Sequence, residues 1–205
     1  MTGSETRNRA ATELRLINAA GEVLNRQGFE GFGVNAAARA AGCDKQLIYR
    51  YFGNLDGLAA ALAAREGEAL AAALDAHAPA HPASDYAGLI EQLVLAYLDA
   101  LTARTLAQKL VLWELSSPSS ALAGFARARA KMLAGWIARR QGRLTPPESV
   151  DALAVNALLI TTVHQIVLAR SASKAVRADK AEPHEAWARA RAALSHMVRS
   201  ALANQ

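Results

Sequence analysis

Cysteine is almost missing from this sequence: Cys43 is the single one among 205 residues. One cysteine excludes a disulfide within the chain and is typical of proteins that work in a reducing compartment. The first sixteen residues are polar and lack the apolar stretch of a secretory signal. We therefore expect a cytoplasmic protein.

The sequence also lacks the usual patterns of catalytic and metal sites. It has no glycine-rich phosphate loop, no nucleophile elbow and no paired-carboxylate helix motif. His77 and His81 are four residues apart, but Pro79 interrupts the helix that would align them. We expect no catalytic residue, no metal and no cofactor. A helical enzyme with a buried apolar substrate remains an alternative, although no acid–base set supports it.

The alternation of polar and apolar residues that is typical of strands is missing as well. Hydrophobic residues make up 52% of the chain, which is enough for a substantial core, and apolar residues recur at helical spacing. The sequence predicts an all-α fold of about nine helices. They are expected near 8–27, 36–41, 45–52, 55–77, 85–101, 105–115, 121–140, 150–169 and 183–202.

One stretch, residues 28–58, contains a more specific pattern. An alanine-rich helix ends at Gly42, which can adopt the left-handed conformation that stops a helix. Asp44 is a good N-cap for a second short helix, residues 45–52. Two short helices joined by a glycine turn predict a helix-turn-helix, whose second helix fits the DNA major groove.

This stretch resembles the DNA-binding segment of the tetracycline-repressor (TetR) family of bacterial transcriptional regulators. The matching residues are Gly28-Phe29, Ala38, Ala41-Gly42, Cys43, Asp44, Ile48-Tyr49-Arg50-Tyr51-Phe52 and Leu58. The resemblance implies a DNA-binding head at 1–53, a connecting helix at 54–78, and an effector-binding and dimerisation domain at 83–205. It implies a homodimeric regulator, most often a repressor, that a small molecule releases from a palindromic operator.

Three departures from the family pattern bear on DNA binding. Phe32-Gly33 stands where the family usually has Thr or Ser, Ala37 where a larger Ile is common, and Leu55 where a Lys usually meets a phosphate. The net charge is +5, but residues 1–52 hold seven basic and five acidic residues. These features leave open an alternative, a TetR-fold protein that binds hydrophobes or lipids and has lost specific DNA binding.

The candidate DNA-binding residues lie on the two short helices. Lys45 can donate to guanine O6 and N7, and Gln46 can pair with adenine, each worth ~1–3 kcal/mol of discrimination. The tyrosines and Arg50 suit phosphates. The alternative is an ordinary solvated helix face with half-buried tyrosines. The full set is Asn35, Arg39, Lys45, Gln46, Leu47, Tyr49, Arg50 and Tyr51.

The candidate effector-binding residues lie in the later helices. Ligand sites in helical bundles are mostly apolar with a few polar anchors, which favours a small apolar or aromatic effector. The alternative is that these aromatic residues and the histidine belong to the core. The set is Tyr97, Trp113, Phe125, Trp136, His164 and Gln165.

The last two helices bear on assembly. Residues 150–169 are apolar nearly all round, which predicts a helix that is buried on most sides. The length suits a membrane span, but polar residues interrupt it, so we expect no membrane association. The resemblance implies that these two helices form the homodimer interface; the alternative is that both are simply core. The interrupting residues are Asp151, Asn156, His164 and Gln165.

Overall fold

The computed structural model describes residues 3–116, 120–176 and 184–203, with side chains for 7–116, 122–172 and 187–203. Over these residues the chain forms nine helices and no strand, which confirms the predicted all-α fold. The helices are α1 (Gly3–Gln27), α2 (Val34–Ala41), α3 (Lys45–Phe52), α4 (Leu55–His77), α5 (Tyr86–Thr102), α6 (Thr105–Ser116), α7 (Ser120–Gln141), α8 (Ala152–Val176) and α9 (His184–Leu202).

Two helices extend well beyond their predicted ends. Helix α1 begins at Gly3 rather than near residue 8, and α8 continues to Val176 rather than ending near residue 169. In both places the added residues include no proline that would stop a helix. The predicted start of the last helix at Pro183 lies outside the described residues.

The buried face of α1 leaves out Leu14, which is 42% exposed although it lies at helical spacing from buried Ile17. The buried side chains form one stripe along the helix. They are Leu16, Ile17, Ala19, Ala20, Val23 and Leu24.

The chain divides into two compact units. Unit 1 comprises residues 1–69 and 105–129, and unit 2 comprises residues 70–104 and 130–205. The division falls inside α4 and inside α7. The predicted head, connecting helix and C-terminal domain follow the helix order instead, and they stay a prediction.

In unit 1, α1 packs against both α2 and α6. Gly21 on α1 permits close packing here, because a Cβ at this position would lie 3.3 Å from side-chain atoms of both Leu62 and Leu106. At the end of α1, the Nζ of Lys109 donates to the carbonyl oxygens of Leu24 and Asn25. A cation at this helix end complements the helix dipole.

In unit 2, α5 is the central helix and packs against α8 and α9. It begins at its predicted cap, where a carboxylate oxygen of Asp85 accepts a hydrogen bond of 2.6 Å from the Gly88 amide. Residues at intervals of four on α9 reach polar groups of α5. Arg191 pairs with Asp99, Ser195 donates to Glu91, and Arg199 pairs with Glu91 and Asp85.

The prediction that α8 is buried on most sides is wrong for this chain alone. Leu153 is 83% exposed and Leu158 is 69% exposed. One face of α8, which carries buried Leu159, Val163 and Val167, packs against α5, and the opposite face, which carries Leu158, is exposed. The sequence of α8 is apolar on nearly all sides, but an apolar sequence does not reveal which sides other helices of the same chain cover.

Candidate functional site

The turn between α2 and α3 is fixed by local hydrogen bonds. Gly42 has φ 62° and ψ 41°, the left-handed conformation. Its amide donates to the carbonyl of Arg39 at 3.2 Å, and the Cys43 amide donates to the carbonyl of Ala38 at 3.0 Å. This pair of bonds is the Schellman motif, which ends a helix and turns the chain. The turn therefore sets the direction in which α3 leaves α2.

Helix α3 is capped at both ends by the residues that adjoin it in the sequence. A carboxylate oxygen of Asp44 accepts a hydrogen bond of 2.7 Å from the Gln46 amide, and Gly53 ends the helix at φ 78°. Within the helix, Ile48 is fully buried and holds α3 to the rest of unit 1. One buried anchor in eight residues leaves most of the helix surface open to solvent.

All eight candidate DNA-binding residues lie at the surface. On α2, Asn35 and Arg39 are exposed, and on α3 only Leu47 and Tyr51 are half-buried. The remaining four are exposed: Lys45, Gln46, Tyr49 and Arg50. The surface therefore presents amide, ammonium, guanidinium and hydroxyl donors, which are the groups that contact base edges and phosphates. That these residues touch DNA stays a prediction.

A residue that the sequence interpretation did not include lies beside α3. The guanidinium carbon of Arg9, on α1, is 5.7 Å from the centroid of the Tyr51 ring, and that of Arg50 is also 5.7 Å from it. Both distances are within the range of cation–π contacts. Arg9 is 42 positions before Tyr51, so no local pattern reveals this contact.

Two of the candidate effector residues, Trp113 and Phe125, belong to unit 1. Trp113 stacks on Phe29 with ring centroids 5.7 Å apart and meets Phe32 edge-on at 5.1 Å. Phe125 is buried beneath the guanidinium of Arg129. Trp113 therefore packs against the loop that precedes α2.

Arg129 is itself a buried charge with a defined partner. Its two terminal nitrogens donate to the two carboxylate oxygens of Glu114, at 2.8 and 3.0 Å. A two-bond pair of this kind offsets much of the cost of removing both charges from water. We read the pair as structural, because it joins α6 to α7 within unit 1.

The other four candidate effector residues belong to unit 2. The Tyr97 hydroxyl and the His164 Nε2 are 2.9 Å apart, and both side chains are buried. Trp136 is fully buried under the guanidinium of Arg140, which lies 4.5 Å from its ring centroid. Gln165, in contrast, is exposed. Of the predicted pair His164-Gln165, His164 therefore lies in the interior and Gln165 at the surface.

Two buried polar atoms among the described residues have no hydrogen-bond partner, Nε1 of Trp136 and Oδ1 of Asn156. The amide nitrogen of Asn156 donates to the Tyr86 hydroxyl at 3.1 Å. Buried polar groups are rarely left without partners because each such group costs about 1–3 kcal/mol. Both atoms belong to unit 2.

Within the described ranges, no group of three His, Cys, Asp or Glu side chains is placed to hold a metal ion. One helical stretch, Ala152–Ala172, is long and apolar enough to cross a membrane, and 22% of an 18-residue window of it is buried in this chain.

Comparison with known proteins gives one family and a set of similar structures. Residues 16–62 match the family model of bacterial regulatory proteins, tetR family. No curated protein matches the sequence.

The structural similarity extends over nearly the whole chain. A tetR family transcription regulator from Shewanella sp. PV-4 is 19% identical, with a TM-score of 0.67 over 95% of this chain and 99% of that one. A transcriptional regulator from Rhodococcus sp. RHA1 is 21% identical, with a TM-score of 0.67 over 93% and 95%. The regulator FadR from Bacillus subtilis, solved with stearoyl-CoA, is 15% identical, with a TM-score of 0.64 over 94% and 98%. At these identities the similarity shows the fold.

Proposed function

We propose, from the premise that residues 16–62 belong to the tetR family of bacterial regulatory proteins, that this chain is a homodimeric, sequence-specific DNA-binding regulator and not an enzyme. It binds a palindromic operator through α2 and α3. It represses transcription until a small molecule, bound in the later helices, releases it. The site of action is the cytoplasm.

The exposure of α3 is the observation that carries this proposal. The helix is held by buried Ile48 and leaves Lys45, Gln46, Tyr49 and Arg50 exposed. A major groove about 12 Å wide admits one α-helix. In such a docked helix, Lys45 and Gln46 in the first turn read base edges. Tyr49 and Arg50 contact phosphates.

The outer face of α8 and α9 supports the homodimer. Leu153 and Leu158 on α8 and Met197 on α9 are large apolar side chains that this chain leaves exposed. Helices α8 and α9 also pack against each other. A second copy covers this surface, and twofold symmetry then presents two α3 helices to successive major grooves, about 34 Å apart.

The polar residues of α8 favour this role over a membrane span. Asn156 is bonded to Tyr86 and His164 to Tyr97, and both partners lie on α5. A helix tied by buried hydrogen bonds to a neighbour that also packs on α9 belongs to a folded helical domain.

The effector is proposed to be a small, largely apolar or aromatic molecule that binds in unit 2. The Tyr97–His164 pair and the unpartnered Nε1 of Trp136 supply polar anchors in an otherwise apolar interior. The similar fold of Bacillus subtilis FadR holds stearoyl-CoA, which makes long-chain acyl compounds a reasonable first group to test. Such a ligand releases DNA only if it binds the DNA-free state more tightly.

A binding selection tests the DNA-binding proposal. Duplexes that bind the purified protein are selected from a random library, and affinities are measured by fluorescence anisotropy. Lys45→Ala and Tyr49→Ala are each expected to cost ~1–3 kcal/mol per subunit, so a homodimer that loses two contacts should bind the selected duplex roughly 30-fold more weakly or worse. Lys131→Ala, which removes the same charge from an exposed site on α7, is the matched control and should bind like the wild type.

The same experiment addresses the alternative function. If the selection yields no preferred sequence while stearoyl-CoA raises the melting temperature, the chain is a hydrophobe-binding protein of this fold. Wild-type affinity in both Lys45→Ala and Tyr49→Ala would exclude α3 as the reading helix.

A further inference from the structure

Tyr51 lies near two arginines that come from different helices. Arg50 precedes it on α3, and Arg9 comes from the first third of α1. Each guanidinium carbon is 5.7 Å from the Tyr51 ring centroid, so the two charges are at most twice that distance apart. Both arginines are exposed, and Tyr51 is half-buried.

Neither guanidinium is neutralised within the part of the chain that the structure describes. No carboxylate there lies within ion-pair distance of Arg9 or Arg50, in contrast with Arg26 on the same helix, which pairs with Glu22 at 3.5 Å. Two like charges held near one ring repel each other, and an anion between them removes that repulsion. The cluster also has a hydroxyl donor in Tyr51, and guanidinium and hydroxyl donors together suit phosphate oxygens.

We infer that Arg9, Tyr51 and Arg50 form a phosphate clamp that binds the backbone of duplex DNA at the C-terminal end of α3. This inference rests on the proposed function and adds a residue, Arg9, from a helix outside the helix-turn-helix. It means that α1 contacts DNA as well as supporting α2. The clamp places two positive charges beside α3 in a head whose net charge is small, with seven basic and five acidic residues in 1–52. Leu55, where related regulators usually have a lysine, supplies no charge.

A phosphate contact has a signature that separates it from base reading. Each neutralised phosphate releases counterions, so the slope of log K against log salt changes by ~0.9 per contact. Phosphates carry no sequence information, so losing the contact weakens every duplex by a similar factor. A base-reading residue would instead change the ratio between selected and scrambled duplexes.

The test compares wild type, Arg9→Ala, Arg9→Lys and Arg26→Ala on the selected duplex and on a scrambled one, over roughly 50–200 mM salt. Arg26→Ala is the matched control, since it removes the same side chain from the same helix about 25 Å along its axis. Circular dichroism and the measured oligomeric state check that each variant is folded.

The clamp predicts a slope smaller by ~0.9 per subunit for Arg9→Ala, which is ~1.8 for a homodimer that loses two contacts, with both duplexes weakened by the same factor. Arg9→Lys keeps the charge and should keep the slope, and Arg26→Ala should match the wild type. An unchanged slope in Arg9→Ala, or an altered ratio between the two duplexes, overturns the clamp.

The outcomes also separate the clamp from the proposed function. Sequence selectivity in the wild type together with an unchanged slope in Arg9→Ala rejects the clamp alone. No selectivity in the wild type, with a reduced slope for Arg9→Ala on any duplex, supports the clamp and rejects the sequence-specific regulator. No DNA binding by the wild type rejects both.

Discussion

The hydroxyl of Tyr97 on α5 lies 2.9 Å from the Nε2 of His164 on α8, and the two rings meet edge-on with centroids 5.8 Å apart. Both side chains are buried, so this contact is made away from water. A polar pair in an apolar interior fixes the register of the two helices, because sliding either one would separate the partners.

Removing the Tyr97 hydroxyl should therefore destabilise the protein without changing its helix content. We expect Tyr97→Phe to lower the free energy of unfolding by about 1 kcal/mol, since the ring still fills the space and one buried hydrogen bond is lost. Urea unfolding followed by circular dichroism measures the change. The double variant with His164→Leu should show less than additive loss. Full additivity would mean that the pair is not coupled.

The position of Trp113 predicts a structural role within unit 1. Trp113 lies on one face of α6 together with Leu106 and Lys109. Leu106 lies beside Gly21, and Lys109 donates to the carbonyls of Leu24 and Asn25. Trp113 itself packs on the rings of Phe29 and Phe32. We expect Trp113→Ala to lower the free energy of unfolding by about 3 kcal/mol through lost aromatic packing. The exposed neighbour Leu112 is the control, and Leu112→Ala should stay within about 0.5 kcal/mol of wild type. Similar effects of the two changes would contradict the packing argument.

The sequence alone predicted those features that depend on residues adjacent in the chain. Helix α3 runs from Lys45 to Phe52 as predicted, because its cap Asp44 and its terminator Gly53 adjoin it in the chain. The family resemblance at residues 28–58 also rests on contiguous residues, and the family model supports it over residues 16–62.

Contacts between distant segments could not be predicted in this way. Trp113 meets Phe29 across 84 positions, and Arg9 meets Tyr51 across 42. Periodicity indicates that a side chain faces inward, but it does not identify the partner. The same limit explains α8, whose apolar composition predicted burial while Leu158 lies open in the single chain.

If the exposed face of α8 forms the homodimer interface, one charged substitution there should prevent dimerisation. Leu158→Glu places a charge in the proposed homodimer interface, where it would be buried without a partner, so we expect monomers by light scattering at concentrations where wild type is dimeric. Leu115→Glu is the matched control, because Leu115 on α6 is 66% exposed and Leu158 is 69% exposed. Leu115→Glu should remain dimeric. A wild-type monomer, or a dimeric Leu158→Glu protein, would remove the support for this interface.

The turn before α3 predicts opposite effects of the same substitution at two glycines. Gly42 has φ 62°, where a Cβ is strained, so Gly42→Ala should lower the free energy of unfolding by about 1–2 kcal/mol. Gly67 lies within α4, and a Cβ there would meet nothing within 4 Å. Gly67→Ala should therefore raise the free energy of unfolding by roughly 0.5–1 kcal/mol, the difference in helix preference. A Cβ meets nothing within 4 Å at either glycine, so equal effects in urea unfolding would show that the left-handed conformation of Gly42 does not strain a Cβ.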